Sequence, residues 1–211
     1  GRVEEARRRA GRTVRWLESL PRQAARVSMR GMGLGHADAV VTAEYVRRGG
    51  RGLEEVDVKD NQLDMSSMQL LFSALSGCPR LKGLAVGHNP VFDGAGEKGA
   101  GAAAKLFAQL KVMKLEKLGM GSTGMDDESL RCLSDALPSM KQLKVLGLSG
   151  NRLTREGVES FLTRLQRLRE QGECLALHTL ILHDNAISDA DISKISSLAP
   201  KGMLVQMKPE R

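Results

Sequence analysis

LKVLGLSGNRL (143–153) places apolar side chains at Leu143, Leu146, Leu148 and Leu153, with Asn151 ahead of the last. Leu146 and Leu148 are two residues apart, the spacing that puts both on one face of a strand. Four further segments follow the same pattern: LEEVDVKDNQL (53–63), LKGLAVGHNPV (81–91), LEKLGMGSTGM (115–125) and LHTLILHDNAI (177–187). AARVSMRGMGL (24–34) is a weaker copy, and LVQM (204–207) reads as a truncated last strand. The copies start at 24, 53, 81, 115, 143 and 177, with spacings of 29, 28, 34, 28 and 34 residues. Periods of this size are the mark of a solenoid, in which no single unit can bury its own apolar face.

Between these segments the apolar period changes from two to three or four, as at Leu130, Leu133 and Leu137, which predicts a helix after each strand. Helix-start signals support this: Thr154, Ser188 with Asp191 three residues on, and the run Asp126, Asp127, Glu128.

The pattern resembles the leucine-rich-repeat family, in its long, ribonuclease-inhibitor-like subclass, over roughly 24–207. The resemblance implies an α/β solenoid, a horseshoe of about six repeats with parallel strands on the concave side and helices on the convex side. Leu146 and Leu148 would point inward, Leu143 and Leu153 would close the layer, and Asn151 would bond backbone groups that the turn leaves unpaired. Ala24, Met32 and Thr123 depart from the pattern. The family implies binding more than catalysis. The subclass includes Ran GTPase-activating proteins, tropomodulin-like actin-end binders, innate-immune receptors and axonemal subunits, and no particular site of any of these is matched here.

The stretch VFDGAGEKGAGAAAK (91–105) holds Gly94, Gly96 and Gly99 in a G-x-G-x-x-G spacing. Glycines before a helix can offer N–H groups to a phosphate. However, the first glycine lies eight residues beyond the strand, and no Lys-Ser/Thr follows. The glycines supply most of a six-residue insertion in the 34-residue repeat that starts at Leu81, so a flexible edge loop is the expected reading, and no cofactor is expected.

The three cysteines, Cys78, Cys132 and Cys174, are too few for a disulfide framework. Cys78 and Cys174 each precede a repeat by three residues, where Met140 and Val112 stand in other copies, so the expectation is one recurring core slot. Cys174, His178, His183 and Asp184 raise a metal site, but His178 and His183 have opposite strand parity and would not converge. No Ser or Cys has an arguable His partner, so an enzyme is not expected. No apolar run approaches the ~20 residues of a membrane span, and no secretory signal is evident. A reducing, intracellular setting is expected, the cytoplasm first.

Nine of the arginines fall in residues 1–30 against Glu4, Glu5 and Glu18, a surplus of six within a net charge of +7. Residues 1–23 therefore read as a basic amino-terminal helix, with 24–211 as the repeat domain. Val3, Ala6, Ala10 and Leu17 share one side, where the helix would cap the first repeat. Arg7, Arg8, Arg12 and Arg15 form the candidate basic patch for RNA or an acidic surface.

The residue between the two inward apolar positions, and the residue after the second, are the candidate concave surface: Ser28 and Arg30, Asp57 and Lys59, Ala85 and Gly87, Gly119 and Gly121, Gly147 and Ser149, Ile181 and His183. The middle copies carry only Gly, Ala and Ser, which points to close approach by another backbone or to an unused surface. The expected function is protein–protein interaction, as a scaffold or assembly subunit. The alternatives are a GTPase activator of the Ran-activator type and an RNA-associated subunit.

Overall fold

The computed structural model describes residues 2–21, 24–93, 99–173 and 176–209. The side chains of Arg2, Val3, Ala6, Arg7 and Arg9, the glycines Gly94 and Gly96, and Cys174 lie outside the described residues. After α1 (Arg2–Glu18) the chain alternates β1 (Arg26–Ser28), α2 (His36–Gly49), β2 (Glu55–Asp57), α3 (Met65–Leu75), β3 (Gly83–Ala85), α4 (Gly99–Leu110), β4 (Lys117–Gly119), α5 (Asp127–Ser134), β5 (Val145–Gly147), α6 (Arg155–Glu170), β6 (Thr179–Ile181), α7 (Asp189–Ser197) and β7 (Leu204–Gln206). Among the described residues these strands form one parallel sheet in chain order, each beside the next. Parallel neighbours need a crossover, and the helices supply it.

The register lines up Val27, Val56, Leu84, Leu118, Leu146, Leu180 and Val205 in one row. The second inward row is Met29, Val58, Val86, Met120, Leu148, Leu182 and Met207. Both rows are buried until β7, where Val205 and Met207 are half-buried. With aromatics at 3% of the sequence, this core is built from Leu, Val, Ala and Met, with Phe72 and Phe107 as its largest members.

Each strand is only three residues long because the chain then turns. Asp60, His88, Ser122 and Asp184 have φ between 53° and 58°, and Gly31 and Gly150 take the same turn at 65° and 66°. Asn, Asp and His enter this left-handed region more easily than most residues, and glycine enters it freely. In four repeats the next residue is an asparagine that ties two repeats together. Asn89 donates to the carbonyls of Val86 and Gly87 in its own repeat and of Val58 in the preceding one, while its Oδ1 accepts from the Leu63 amide at 2.9 Å. Asn61, Asn151 and Asn185 make corresponding bonds. Thr123 keeps the bond to its own repeat, to Met120 O, and its main-chain oxygen takes the Phe92 amide at 3.0 Å. The departure falls beside the repeat with the inserted loop, where Val91 bonds Asn89 O instead.

The two 34-residue repeats place their extra residues differently. In the repeat from Leu143 they lengthen the helix, since α6 has 16 residues against 8 in α5. In the repeat from Leu81 they precede α4, and Gly99 is the buried first residue of that helix. The root of that loop is fixed: Phe92 stacks near Phe107 with ring centroids 5.9 Å apart, and Asp93 pairs with Arg152 two repeats on.

The helix starts behave as expected at two sites. Asp126 accepts from the Ser129 amide at 2.8 Å, and Thr154 caps α6 through the Gly157 amide. Ser188 differs: its hydroxyl donates to Asp191 rather than capping a backbone amide. Asp64 caps α3; burial pushes its carboxyl up, but hydrogen bonds from Ser67 and Ser66 and the nearby His36 together hold it below the usual range.

The core slot expected for Cys78 and Cys174 is seen at Cys78, with one correction, while Cys174 lies outside the described residues. Cys78 and Met140 are buried in it and burial raises the Cys78 thiol, but Val112 is exposed and Met113 fills its repeat's slot. The reason is a turn shorter by one residue: Met113 bonds back to Leu110, as Cys78 does to Leu75, yet stands two residues before its repeat's first leucine. Cys132 is also buried, against Ala100 O.

α1 lies against α2 and the first repeat. Leu17 is 2% exposed and lines a small internal void with Val27 and Met29. The Thr13 hydroxyl donates to Asp38 Oδ1 at 2.7 Å, and Asp38 Oδ2 accepts from the Gly35 amide at 3.0 Å. Asp38 is 1% exposed. Thr13→Val leaves a buried carboxylate oxygen without its donor, at an expected cost of about 1–3 kcal/mol. In a solenoid that loss falls on the terminal unit. The fluorescence of Trp16, the single tryptophan, should therefore red-shift at lower urea than the far-UV circular dichroism signal is lost.

Candidate functional site

The outward face of the strands forms a groove of about 540 Å³. Two rows of side chains line it. The first residues of the strands give Arg26, Glu55, Gly83, Lys117 and Val145; the last residues give Ser28, Asp57, Ala85, Gly119, Gly147 and Ile181. The last-residue row was expected from the sequence. The first-residue row was not, although strand alternation puts both on the same face.

The remaining expected residues, Arg30, Lys59, Gly87, Gly121, Ser149 and His183, stand just beyond the strand ends. They form the rim that leads into the left-handed turns. Their carbonyls continue the ladder, as where the Asp60, His88 and Ser122 amides bond Gly87, Gly121 and Ser149 at 3.1, 2.8 and 2.7 Å.

The glycines of floor and rim are small for different reasons. A methyl on Gly87 would sit 2.7 Å from the Gly121 carbonyl oxygen, and one on Gly121 would sit 3.0 Å from that of Ser149. The neighbouring turn comes close at these two positions and leaves little room for a Cβ, whereas Arg30, Lys59, Ser149 and His183 stand at the same place in other repeats. On the floor, a methyl at Gly119 would lie 3.8 Å from Ala85 Cα, and at Gly147 3.7 Å from Gly119 Cα, both ordinary contacts. Gly87→Ala is expected to lower stability by about 1–3 kcal/mol through overpacking. Gly119→Ala should stay within about 0.5 kcal/mol of the parent or gain slightly, because glycine weakens a strand. Urea titration of the two variants checks this contrast.

Apart from Lys117 on β4, the charged residues of the groove lie toward its amino-terminal end, where several pair with one another. Arg26 and Glu55 approach to 3.3 Å, Asp57 accepts from the Lys59 amide at 2.9 Å, and Arg30 Nε bonds Asp60 at 2.5 Å. Below the groove, Lys82, Glu116 and Lys144 alternate across three repeats, and the Lys144 hydrogen bond chiefly holds the Glu116 carboxyl below its usual range. The carboxyl-terminal end turns apolar, with Val145, Ile181 and then Leu204, which is 58% exposed. At the rim His183 Nδ1 and Asp184 are 2.7 Å apart.

On α1, Arg8, Arg12 and Arg15 are exposed at helical spacings of four and three, opposite Thr13 and Leu17. Arg8 has a loose pairing with Glu4 at 3.9 Å. Arg7's side chain is outside the described residues. Among the described residues no group of His, Cys, Asp and Glu is gathered as metal ligands would be. No described helix is long and apolar enough to cross a membrane.

No protein-family model matches the chain, and no curated protein is similar to it. Among solved structures, an internalin (inlF) from Listeria monocytogenes str. 4b F2365 is similar at 23% identity and a TM-score of 0.44, covering 77% of this chain. The present chain spans only 37% of that one. An internalin C2 from the same strain is similar at 17% identity and a TM-score of 0.32, covering 87% of this chain and 80% of its own. The fold stands on the strand register and the asparagine ladder rather than on these likenesses. By those features it is an α/β leucine-rich-repeat solenoid, with its strands lining a groove and its helices on the opposite side.

Proposed function

We propose that this chain is a protein–protein interaction module, a scaffold or subunit of a larger assembly, that takes a partner segment across the groove. The observation that carries the reading is the floor at Gly119 and Gly147. The fold has room for a Cβ at both, unlike at Gly87 and Gly121, so the open floor is not forced by internal packing. It leaves the last-residue row low at its centre, beside Lys117, so that another backbone can lie close, with Arg26, Glu55 and Asp57 toward one end and Val145 and Ile181 toward the other. Ser28, Asp57, Ala85, Gly119, Gly147 and Ile181 would meet that segment directly, with the missed row beside them. Arg30, Lys59, Gly121, Ser149 and His183 would meet its flank, while Gly87 is buried beneath it. The reading is binding rather than catalysis, and the regular helix in each repeat supports the ribonuclease-inhibitor-like subclass. Residues 1–23 are read as the cap of the repeat domain 24–211, with Leu17 seated beside Val27 in support. The buried thiols of Cys78 and Cys132 suit an intracellular setting.

A second reading rests on the stripe Arg8, Arg12 and Arg15, whose guanidinium groups face away from the packed side of α1 and suit RNA or an acidic surface. Affinity capture from source-cell lysate separates the two. The parent chain, Gly119→Trp, and a triple Arg8→Glu, Arg12→Glu, Arg15→Glu variant are compared, each with and without nuclease. A stoichiometric protein lost only with Gly119→Trp supports the groove. Recovery lost with the triple variant or with nuclease assigns the work to α1.

A further inference from the structure

Charge in the repeats is sorted by margin. Residues 31–211 carry a net +1, what remains of +7 after the surplus of six in residues 1–30. That small sum hides a polarity. From β3 to β5, Arg80, Lys82, Lys111, Lys114, Lys141 and Lys144 are exposed where helices end and strands begin, with Glu54 and Glu116 as acidic neighbours. Asp135, at the end of α5, is held by Arg131 and Arg164. Where the strands end and the helices begin, the described residues Asp93, Asp126, Asp127 and Glu128 outnumber Arg152.

The turns that carry these cations are stacked. Cys78, Met113 and Met140 bond back to Leu75, Leu110 and Leu137 and fill one core slot, and the strands that follow pair in equivalent register. Lys111, Val112 and Lys114 therefore stand between Arg80 and Lys82 on one side and Lys141 and Lys144 on the other. Arg80 pairs with Glu54, and Lys82 and Lys144 share Glu116. Among the described residues, no acidic side chain pairs with Lys111, Lys114 or Lys141. At the centre of the row Val112 is 67% exposed, because the shorter turn gives its slot to Met113. Helix dipoles favour acids at helix starts and bases at helix ends, which accounts for the sign of each margin. They give no reason for an aliphatic side chain to stand bare among the lysines.

We infer that this basic margin rests on an anionic lipid surface, with Val112 entering between the headgroups and the lysines around it reaching their phosphates. Each lysine held near an anionic leaflet strengthens binding about fivefold. A nucleic acid is the other polyanion that such a row attracts, and it fits less well. Five of the six cations are lysines, which lack the two-pronged geometry that arginine brings to a phosphate. No aromatic side chain stands among them for a base to stack on. A phosphate backbone also has nothing apolar to cover Val112, whereas a bilayer offers both chemistries at one surface. Docking by this margin turns the acidic one away from the lipid. It uses neither the groove floor nor the arginine stripe of α1, so the inference is independent of what those faces bind.

The test is flotation of the 211-residue chain with vesicles of phosphatidylcholine containing about one-third phosphatidylserine, and with phosphatidylcholine alone. Three chains are compared: the parent, a triple Lys111→Glu, Lys114→Glu, Lys141→Glu variant, and a triple Arg8→Glu, Arg12→Glu, Arg15→Glu variant that controls for the other basic face. The parent should bind only the anionic vesicles, and less as salt rises. The lysine variant should bind about 100-fold more weakly, and the α1 variant within about fivefold of the parent. All three lysines are exposed, so circular dichroism and melting temperature should be retained. Val112→Trp reports insertion in a chain with its lysines intact. Its emission should be quenched by lipids brominated on their acyl chains more than that of the parent, whose single tryptophan is Trp16. No binding to the anionic vesicles, binding lost through the α1 substitutions instead, or no added quenching for Val112→Trp would each overturn the inference. So would lysine-dependent binding of double-stranded RNA by a chain that ignores the vesicles.

Discussion

Asn89→Leu is expected to lower the unfolding free energy by about 2–4 kcal/mol, the largest stability loss of any polar substitution on the ladder. Asn89 is 2% exposed. Its amide serves carbonyls of two repeats and its oxygen serves the Leu63 amide, so leucine leaves a group of buried main-chain atoms without partners. Each such group costs about 1–3 kcal/mol when stranded, and partial access of water and relaxation of the turn keep the total below the sum. The natural Thr123 provides the control. It retains the bond within its own repeat and loses the side-chain bond to the preceding one. Asn89→Thr should therefore cost roughly half as much as Asn89→Leu. Because the lost bonds join neighbours, the urea transition should also broaden as the repeats uncouple. Equal losses for the two substitutions would mean that the bond between repeats contributes nothing.

The architecture was legible because the repeat writes it several times over. Leu146 and Leu148, Asn151 and the helix period after each strand recur with the same spacing, and each copy corroborates the others. What escaped had no local signature. The bond between Thr13 and Asp38 joins residues 25 apart in sequence, and only docking of α1 brings them together. The left-handed turns are visible at Gly31 and Gly150, but Ser122 adopts the same φ without a sequence cue. The groove is legible in part. The spacing of the two inward residues marks the residue between them and the residue after the second as outward-facing, and the same alternation adds the residue before the first, as Lys117 beside Leu118. Counting back three from Leu115 points to Val112 for the core slot, and a turn shorter by one residue gives the slot to Met113 instead.

Gly119→Trp is expected to weaken binding of a groove partner by more than about 100-fold while leaving the fold nearly intact. The position lies in the middle of the floor, between Ala85 and Gly147 on the flanking strands, and its missing side chain would project into the groove. Nothing in the core touches it, so the stability cost should be that of a surface change, within about 0.5 kcal/mol. A partner backbone resting on this floor cannot keep its place above an indole ring. It must lift off and lose contact with the strands on both sides, and a loss of about 3 kcal/mol corresponds to a little over 100-fold in affinity. Gly119→Ala adds one methyl and should cost only severalfold, so the series from Gly through Ala to Trp measures how closely the partner approaches. A graded decline places the backbone against the floor. An abrupt loss at Trp alone means the partner bridges the trough and touches only its charged and apolar ends. Unchanged affinity for Gly119→Trp, with its melting temperature preserved, would remove the groove from the binding surface and leave the arginine stripe of α1 as the face to examine.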